Sequence, residues 1–288
     1  MSRVGSCSDF ISTASSRSVD HISGYRLLPQ YLLRPWTFLT RNTGFNTKSR
    51  QTVKGLASLT DAYISHAANS SVGLVLASIR TDDLSWLLEY CQESGSTPFI
   101  YTTDKTPKPG LLVPYTSRGR ESPAYLSYIV DFYDRLPDYS IFIHAYHEQW
   151  HNDLFGPLTD DTLRNIRLES IDAHGYVNLR CKHNPGCPTG VYPLSPSKED
   201  IKNHDIRASF SDAYQQIFNV GIDEVPREIG NVCCAQFAVS RERIRARPKE
   251  DYQRILEWAA TTDLTDGFGV GWVLEKLWHI LFGMDAVQ

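Results

Sequence analysis

The sequence predicts an α/β domain with a mixed, mostly parallel sheet flanked by helices. Residues 72–79 form a continuous apolar run, which is typical of a strand buried on both faces. A helical stretch follows at residues 84–91 and ends at Gly95, and residues 97–103 form a second strand-like run. Because the crossover is short, we expect a right-handed parallel pairing of these two strands. A third run, residues 141–143, predicts a buried strand that ends among polar residues.

Local signals predict the remaining elements of the domain. Ser122 and Pro123 favour the start of a helix that continues over residues 124–135, because proline is well tolerated in the first turn. Further helices are expected at residues 158–170, 208–218, 241–258 with a break at Pro248, and 270–282; further strands at residues 175–180 and 233–240; and a polar linker at residues 195–203. We expect these elements to form one domain, residues 71–288.

The N-terminal part of the chain has a different composition. Residues 1–20 are rich in Ser, Thr and Arg and have almost no apolar pattern, which predicts a disordered tail. Residues 21–70 carry large apolar and aromatic side chains interrupted by prolines. This composition predicts an irregular aromatic arm that packs on the body of the protein, with a short helix at residues 58–68.

The overall composition argues against several classes of partner. The 288 residues include 29 Lys plus Arg and 33 Asp plus Glu, and the net charge of −4 gives no reason to expect nucleic acid or an anionic membrane as a partner. The basic run at residues 241–247 is interleaved with Glu and Ala, as on a solvated helix face. The sequence shows neither a secretory signal nor a membrane span, so we expect a cytoplasmic location.

The cysteine content does not indicate a disulfide scaffold, because the chain has only six cysteines. Cys181 with Cys187, and Cys233 with Cys234, are candidate pairs, although buried thiols are the more common state in a reducing compartment. No basic residue adjoins the second pair in sequence, and Arg241 lies seven residues beyond Cys234. A low thiol pKa is therefore not predicted there.

Polar side chains with catalytic chemistry follow the third predicted strand. Three histidines and a tryptophan lie within residues 144–151. Because open α/β sheets bind ligands at the carboxyl ends of their strands, we predict a small-molecule site here. The residues predicted to act in catalysis are His144, His147, His151, Glu275 and His279, the last two being four residues apart on one helix face. The residues predicted to bind substrate are Asp104, Arg120, Glu121, Tyr146, Trp150, Asp153 and Gln236. No metal ligand is assigned.

Residues 147–151 match the zinc-peptidase motif His-Glu-x-x-His. This motif binds zinc on a helix, where its two imidazoles share one face. Here the motif follows a strand almost immediately, Gln149 is polar where the helix requires an apolar residue, and Asn152 and Asp153 form a turn pair. We therefore do not predict a zinc peptidase.

A series of short strings runs along the chain. In order, the strings are Asp83-Leu-Ser-Trp-Leu87, Gly119-Arg-Glu121, Tyr125-Leu-Ser-Tyr-Ile129, Leu136-Pro-Asp138, Trp150-His-Asn-Asp153, Tyr176-Val-Asn-Leu-Arg-Cys181, Gly186-Cys-Pro188, Cys234-Ala-Gln-Phe-Ala-Val-Ser240 and Trp278-His-Ile-Leu-Phe-Gly283. Together they resemble the fungal family catalogued as domain of unknown function 3431, over roughly residues 71–283. The resemblance implies a Rossmann-like organisation similar to the GT-A fold of glycosyltransferases. Where that fold has Asp-x-Asp metal ligands, this chain has His144, Ala145 and Tyr146.

We expect a cofactor-independent enzyme of fungal secondary metabolism that cyclises or isomerises a small molecule, with pericyclic ring closure among the candidate reactions. The sequence shows no dinucleotide fingerprint, P-loop or catalytic serine elbow. The polar and aromatic residues named above suit a site that binds a carbonyl group and stabilises developing negative charge.

Two alternatives remain open. The first is a GT-A-like glycosyltransferase that uses Mn²⁺ or Mg²⁺ with a nucleotide sugar. In that case His279 replaces a metal ligand, Asp104 contacts the nucleotide, and Glu275 or Asp153 is the base. The second alternative is a small-molecule-binding protein without catalytic activity.

Overall fold

The computed structural model describes residues 43–67, 69–107, 109–182 and 190–288, and a five-stranded sheet forms its centre. The strands are β1 (Val72–Ser78), β2 (Thr97–Thr102), β3 (Tyr139–Phe142), β4 (Tyr176–Asn178) and β5 (Phe237–Ser240), in the order β2-β1-β3-β5-β4. Each strand overlaps a run that the sequence predicts as a strand.

The sheet is mixed, with two parallel and two antiparallel strand pairs. β1 pairs in parallel with β2 and with β3, whereas β5 is antiparallel to both β3 and β4. The prediction of a mostly parallel sheet was wrong because an apolar run does not encode the direction of a strand. The chain between β4 and β5, residues 179–236, starts and ends at the same edge of the sheet, so β5 runs back across it.

Helices of different lengths accompany the sheet. They are α1 (Thr43–Ile64), α2 (Ser85–Ser94), α3 (Ser122–Phe132), α4 (Thr159–Arg164), α5 (Leu168–His174), α6 (Lys198–Lys202), α7 (Phe210–Phe218), α8 (Arg241–Arg245), α9 (Lys249–Thr261), α10 (Gly267–Glu275) and α11 (Trp278–Leu281). Short 3-10 helices occupy residues 133–135, 206–209 and 222–224. Within the described residues, no helix has both the length and the apolar character needed to cross a membrane.

Two helices predicted as continuous are each divided. Residues 158–170 contain α4 and the start of α5, because Asn165 ends α4. Residues 270–282 contain most of α10 and all of α11. Between these two helices the N–H of Leu277 donates to the carbonyl of Leu274, three residues back, which tightens the chain into a 3-10 turn.

The stretch predicted as a polar linker, residues 195–203, contains helix α6. The hydroxyl of Ser197 accepts a hydrogen bond from the N–H of Asp200 at 3.0 Å, and the Asp200 carboxylate accepts one from the Ser197 N–H at 3.2 Å. This reciprocal capping box stabilises the start of a short helix within a polar segment.

Helix α1 replaces the last part of the predicted irregular arm. It runs without a break where the sequence predicts a helix only at residues 58–68. The helix packs on α2 and on β2, where the hydroxyl of Thr60 donates to the carbonyl of Pro98 at 2.6 Å. The predicted tail, residues 1–20, and the aromatic part of the arm, residues 21–42, lie outside the described residues.

The sheet buries an apolar layer on each face. On one face the core is aromatic, and the ring centres of Phe142 and Phe237 are 4.8 Å apart. On the other face the core contains the aliphatic residues Leu74, Leu76 and Ile141. Because Phe142 and Phe237 are also register partners on β3 and β5, aromatic packing holds the register of this pair at the edge where β3 ends.

Gly73 in β1 is a position where any side chain meets the core. A Cβ at this residue lies 3.0 Å from the ring of Phe99, 3.0 Å from Pro137 and 3.1 Å from the Tyr128 hydroxyl. We expect Gly73→Ala to lower the free energy of unfolding by about 1–3 kcal/mol, the usual cost of overpacking. Urea unfolding measures the change, with Ser71→Ala at an exposed neighbouring position as the control. Wild-type stability of Gly73→Ala would contradict this close packing.

Candidate functional site

Three strand ends bring polar side chains to one edge of the sheet. His144 follows β3, Arg180 follows β4 and Gln236 precedes β5. Because β5 is antiparallel to its two neighbours, these three positions meet at the carboxyl edge of β3. This is the edge at which the sequence predicts the site.

The buried amide of Gln236 organises this edge. Its Oε1 accepts a hydrogen bond from the backbone N–H of His144 at 3.3 Å. Its Nε2 donates to Nδ1 of His151 at 3.2 Å and to Oδ1 of Asn152 at 3.0 Å. The accepted N–H fixes the orientation of the amide. In neutral His151, Nδ1 is therefore the acceptor and Nε2 carries the proton.

His144 is held in the same tautomer as His151, but through its other ring nitrogen. Its Nε2 lies 2.8 Å from the carbonyl oxygen of Cys234. A carbonyl oxygen only accepts, so this nitrogen carries the proton and Nδ1 of the neutral ring has a lone pair. The ring centres of His144 and His151 are 5.2 Å apart. The two rings therefore present a proton acceptor and a proton donor close together.

His151 stays neutral at physiological pH. Burial, the neighbouring His144 and the charge of Arg180 lower its pKa from 6.5 to about 4. Burial is the largest of these causes, because a buried imidazolium lacks the hydration that stabilises its charge in water. His151 is therefore suited to donate a hydrogen bond as a neutral imidazole and does not act as a cation.

Arg180 places a cation in the site. Its side chain is only 4 % exposed, and its guanidinium carbon lies 5.0 Å from the centre of the Trp150 ring. Its Nη1 lies 2.8 Å from Sγ of Cys233 and 3.4 Å from Sγ of Cys234. Trp150 is 66 % exposed and also contacts the ring of His151 edge to face, at 5.3 Å. An indole held on two sides thus remains open to a ligand.

Cys233 and Cys234 form a disulfide with each other. The candidate pairing of these neighbours is confirmed, and the expectation that they are buried thiols was wrong. The expectation that no cation lies beside them was also wrong, because Arg180 reaches them from a different strand. Cys181 is disulfide-bonded too, whereas Cys187 lies outside the described residues.

The backbone of Cys234 anchors two predicted catalytic residues. Besides the carbonyl that holds His144, its N–H donates to Oε1 of Glu275 at 3.3 Å. The same oxygen lies 3.4 Å from the ammonium of Lys276. Cys234 and Ala235 have φ values of 86° and 47°, a left-handed conformation that costs a non-glycine residue roughly 1–2 kcal/mol. Strain of this kind is concentrated at functional sites.

Asp153 holds the backbone that follows β4, next to the site residues. Its Oδ2 accepts hydrogen bonds from the backbone N–H groups of Cys181 at 3.1 Å and Lys182 at 2.6 Å. These residues follow Arg180, so Asp153 positions the end of β4 and does not itself reach into the cluster through this oxygen. Of the predicted site residues, the structure brings together His144, Trp150, His151, Gln236 and Glu275, with Asp153 beside them.

His147 is held elsewhere. Its ring stacks on that of Trp86 with 4.9 Å between centres, and its Nε2 lies 2.5 Å from Oδ1 of Asp160. Residues 147–151 form turn and loop, so the two imidazoles of the zinc-peptidase motif do not share a helix face. In the parts of the chain that the structure describes, no three His, Cys, Asp or Glu side chains are grouped as a metal site requires.

His279 belongs to the core. It is fully buried, its Nε2 lies 3.1 Å from the carbonyl oxygen of Ala286, and burial is the main cause that lowers its pKa to about 4. The prediction that Glu275 and His279 share one helix face was wrong, because α10 ends at Glu275 and His279 lies in α11.

The other predicted substrate-binding residues have no described hydrogen bond or ring contact with the cluster. Asp104 lies in the bend after β2. Arg120 has a φ of 58°, and its guanidinium carbon lies 4.2 Å from the centre of the Phe268 ring. Glu121 precedes α3, and Tyr146 is exposed.

Sequence reasoning missed Arg180 as a site residue and did not place the Cys233–Cys234 disulfide at the site. Arg180 ends the predicted strand at residues 175–180, so the rule that selected His144 also applied to it. Cys233 and Cys234 precede β5, and the sequence does not reveal the direction of this strand. No sequence signal therefore placed the disulfide at the carboxyl edge of β3.

Comparisons with known proteins give one match. Residues 74–288 match the model of a family described as "Protein of unknown function (DUF3431)". This match confirms the family resemblance drawn from the sequence strings. No curated protein and no solved structure matches the chain significantly.

Gln236→Met tests the amide network. We expect this change to lower the free energy of unfolding by about 1–3 kcal/mol, because the N–H of His144 and Oδ1 of Asn152 lose buried partners. We also expect ¹⁵N NMR to show a mixture of tautomers at His151, which loses its donor. Gln253→Met, at an exposed position, is the matched control. A single unchanged tautomer in Gln236→Met would contradict the assignment.

The two buried histidines predict a dependence of stability on pH. His151 and His279 have folded-state pKa values lowered to about 4, against 6.5 for a histidine exposed to water. Between these values the unfolded chain binds more protons, so stability is complete above about pH 6.5 and falls as the pH drops towards 4. Urea unfolding across this range measures the loss, and His279→Leu should make its slope shallower. A His151 ring that titrates near 6.5 by NMR would contradict the prediction.

Proposed function

We propose that this chain, which belongs to the DUF3431 family of proteins of unknown function, is an enzyme that isomerises or cyclises a small molecule by proton transfer, without an organic cofactor. In this proposal His144 is the base and His151 is the hydrogen-bond donor. The assignment to fungal secondary metabolism and to the cytoplasm is part of the proposal and rests on the sequence alone.

The observation that supports the proposal is that the protein holds a different nitrogen of each ring, which leaves an acceptor on His144 and a donor on His151. His144 donates from Nε2 to Cys234, which leaves Nδ1 as a base. His151 accepts at Nδ1 from Gln236, which leaves Nε2–H as a donor. Since both states are set by hydrogen bonds from the protein, the pair is preorganised before a substrate arrives.

A carbonyl compound with an acidic C–H uses both rings at once. Nδ1 of His144 takes the proton from the carbon next to the carbonyl, while Nε2–H of His151 bonds to the oxygen that becomes negative. The resulting enolate either regains the proton at another carbon, which is an isomerisation, or its carbon attacks an electrophilic carbon of the same molecule, which closes a ring. In both cases His144 returns its proton to the product, and no oxidant or reductant is needed.

Trp150 and Arg180 provide a surface for the carbon skeleton of the substrate. The indole is exposed yet held between the guanidinium and the ring of His151. A rigid aromatic face restricts a flexible chain to fewer conformers, which raises the fraction poised to react. The positive charge of Arg180 also favours an enolate over the neutral substrate.

A GT-A-like glycosyltransferase is the second candidate. A mixed sheet with a site at the carboxyl ends of its parallel strands supports it. Metal-dependent sugar transfer, however, requires carboxylates that hold Mn²⁺ or Mg²⁺ against a diphosphate. At this edge the chain has His144 after β3 and Glu275 as the carboxylate of the cluster. These residues do not fit such a site, and we derive no step through it.

Hydrogen–deuterium exchange into small ketones tests the proposal. The protein is incubated in D₂O with a panel of saturated and β,γ-unsaturated ketones, and loss of the α-proton signals is followed by NMR. We expect catalysed exchange that falls about 100-fold or more in His144→Gln, which is the usual contribution of a general base. We expect a smaller decrease in His151→Phe, because only the donor to the oxygen is lost.

His66→Asn is the control, because His66 is exposed and has a left-handed φ of 58°, which asparagine tolerates. Exchange that continues unchanged in His144→Gln would rule out this base. A rise in melting temperature with Mn²⁺ plus UDP or GDP, absent in EDTA, would favour the glycosyltransferase. Binding of panel members without exchange would favour a protein that binds without catalysis.

A further inference from the structure

A cavity of about 390 Å³ lies beside α10. Its walls come from residues 190–192 and 195–197, Asp200 in α6, Arg207 in the following 3-10 helix, Trp272 in α10 and Lys276 just after it. The histidine cluster is the group of site residues described above, namely His144, Trp150, His151, Arg180, Gln236 and Glu275. None of them lines the cavity. The volume is within the range of pockets that bind small molecules.

Two cations flank one indole in this cavity. The guanidinium carbon of Arg207 lies 5.0 Å, and the ammonium of Lys276 5.9 Å, from the centre of the Trp272 ring. Cation–π contacts of this kind hold both side chains against the wall. The cavity therefore has positive groups whose positions are set before any ligand binds.

Arg207 has one edge suited to an oxyanion. Both nearby carboxylates approach its Nη1, Asp205 at 3.0 Å and Asp200 at 3.8 Å. Within the described residues, Nε and Nη2 of Arg207 make no hydrogen bond. A guanidinium binds a carboxylate through two adjacent N–H groups, so this remaining edge has the geometry for a bidentate contact.

Two cations, Arg207 and Lys276, and one carboxylate, Asp200, are among the residues that line the cavity. Lys276 is only 7 % exposed, and a buried ammonium interacts with a nearby anion more strongly than one in water. The carboxylate on the wall, Asp200, is used by the capping box, since its Oδ2 accepts from the N–H and the hydroxyl of Ser197. Apolar surface is supplied by Val191 and Pro196.

We propose that this cavity binds a small organic carboxylate. The carboxylate lies between Arg207 and Lys276, and an aromatic or aliphatic body packs against Val191, Tyr192 and Pro196. The site requires no chemistry from the histidine pair, so it does not depend on the function proposed above.

Matched pairs of acids and amides test this site. The probes are phenylacetate and indole-3-acetate, each compared with its neutral amide, by saturation-transfer NMR and calorimetry on the full chain. We expect each acid to bind at least about tenfold more tightly than its amide, because a charge-assisted bidentate bond is lost in the amide. We expect Arg207→Gln and Lys276→Gln each to weaken binding of the acids about tenfold.

Two variants locate the binding. Lys202→Gln removes the same charge from an exposed position on the neighbouring α6 and should bind as the wild type does. His144→Gln should also bind normally, since His144 does not line the cavity. If burial of Lys276 prevents that variant from folding, the half-exposed Arg207 decides the question alone.

Three results would overturn the proposal. The first is equal affinity for each acid and its amide. The second is a loss of affinity for the acids in Lys202→Gln or His144→Gln as large as that in Arg207→Gln. The third is no saturable binding of either acid up to about 10 mM.

Discussion

The antiparallel pairing of β5 with β3 determines where the candidate site forms. Phe142 and Phe237 are register partners, so the residues that follow β3 and those that precede β5 lie at the same edge of the sheet. Gln236 thereby reaches the backbone of His144, and Cys234 reaches its ring. A parallel β5 would place the same residues at the opposite edge. The Phe142–Phe237 packing in the core therefore supports the site as well as the sheet.

Hydrogen bonding and electrostatics both favour the neutral form of His151. The Gln236 amide donates to Nδ1, which selects the neutral ring with a proton on Nε2. Burial and the buried charge of Arg180 disfavour a second proton. The sulfur atoms of Cys233 and Cys234 beside Arg180 are weak hydrogen-bond acceptors. A guanidinium therefore lies beside a neutral hydrogen-bond donor, which suits a reaction that develops negative charge on oxygen.

The sequence predicts most of the elements because local signals specify them. Apolar runs locate the strands, and Gly95, with a φ of 70°, ends α2 as predicted. The direction of β5 was not predictable, because it depends on where the preceding chain returns to the sheet. Spacing on a predicted helix grouped His279 with Glu275, but tertiary packing breaks that helix and buries the histidine. His147 was grouped with the site by proximity in sequence, and contact with Trp86 holds it elsewhere.

The cavity and the histidine cluster meet at two adjacent residues. Lys276 lines the cavity and contacts Glu275, whose carboxylate also holds the N–H of Cys234. The carbonyl of Cys234 in turn holds the ring of His144. The cavity and the base are thus joined by a chain of contacts through Glu275, although His144 does not line the cavity. One carboxylate, Glu275, therefore connects the two sites.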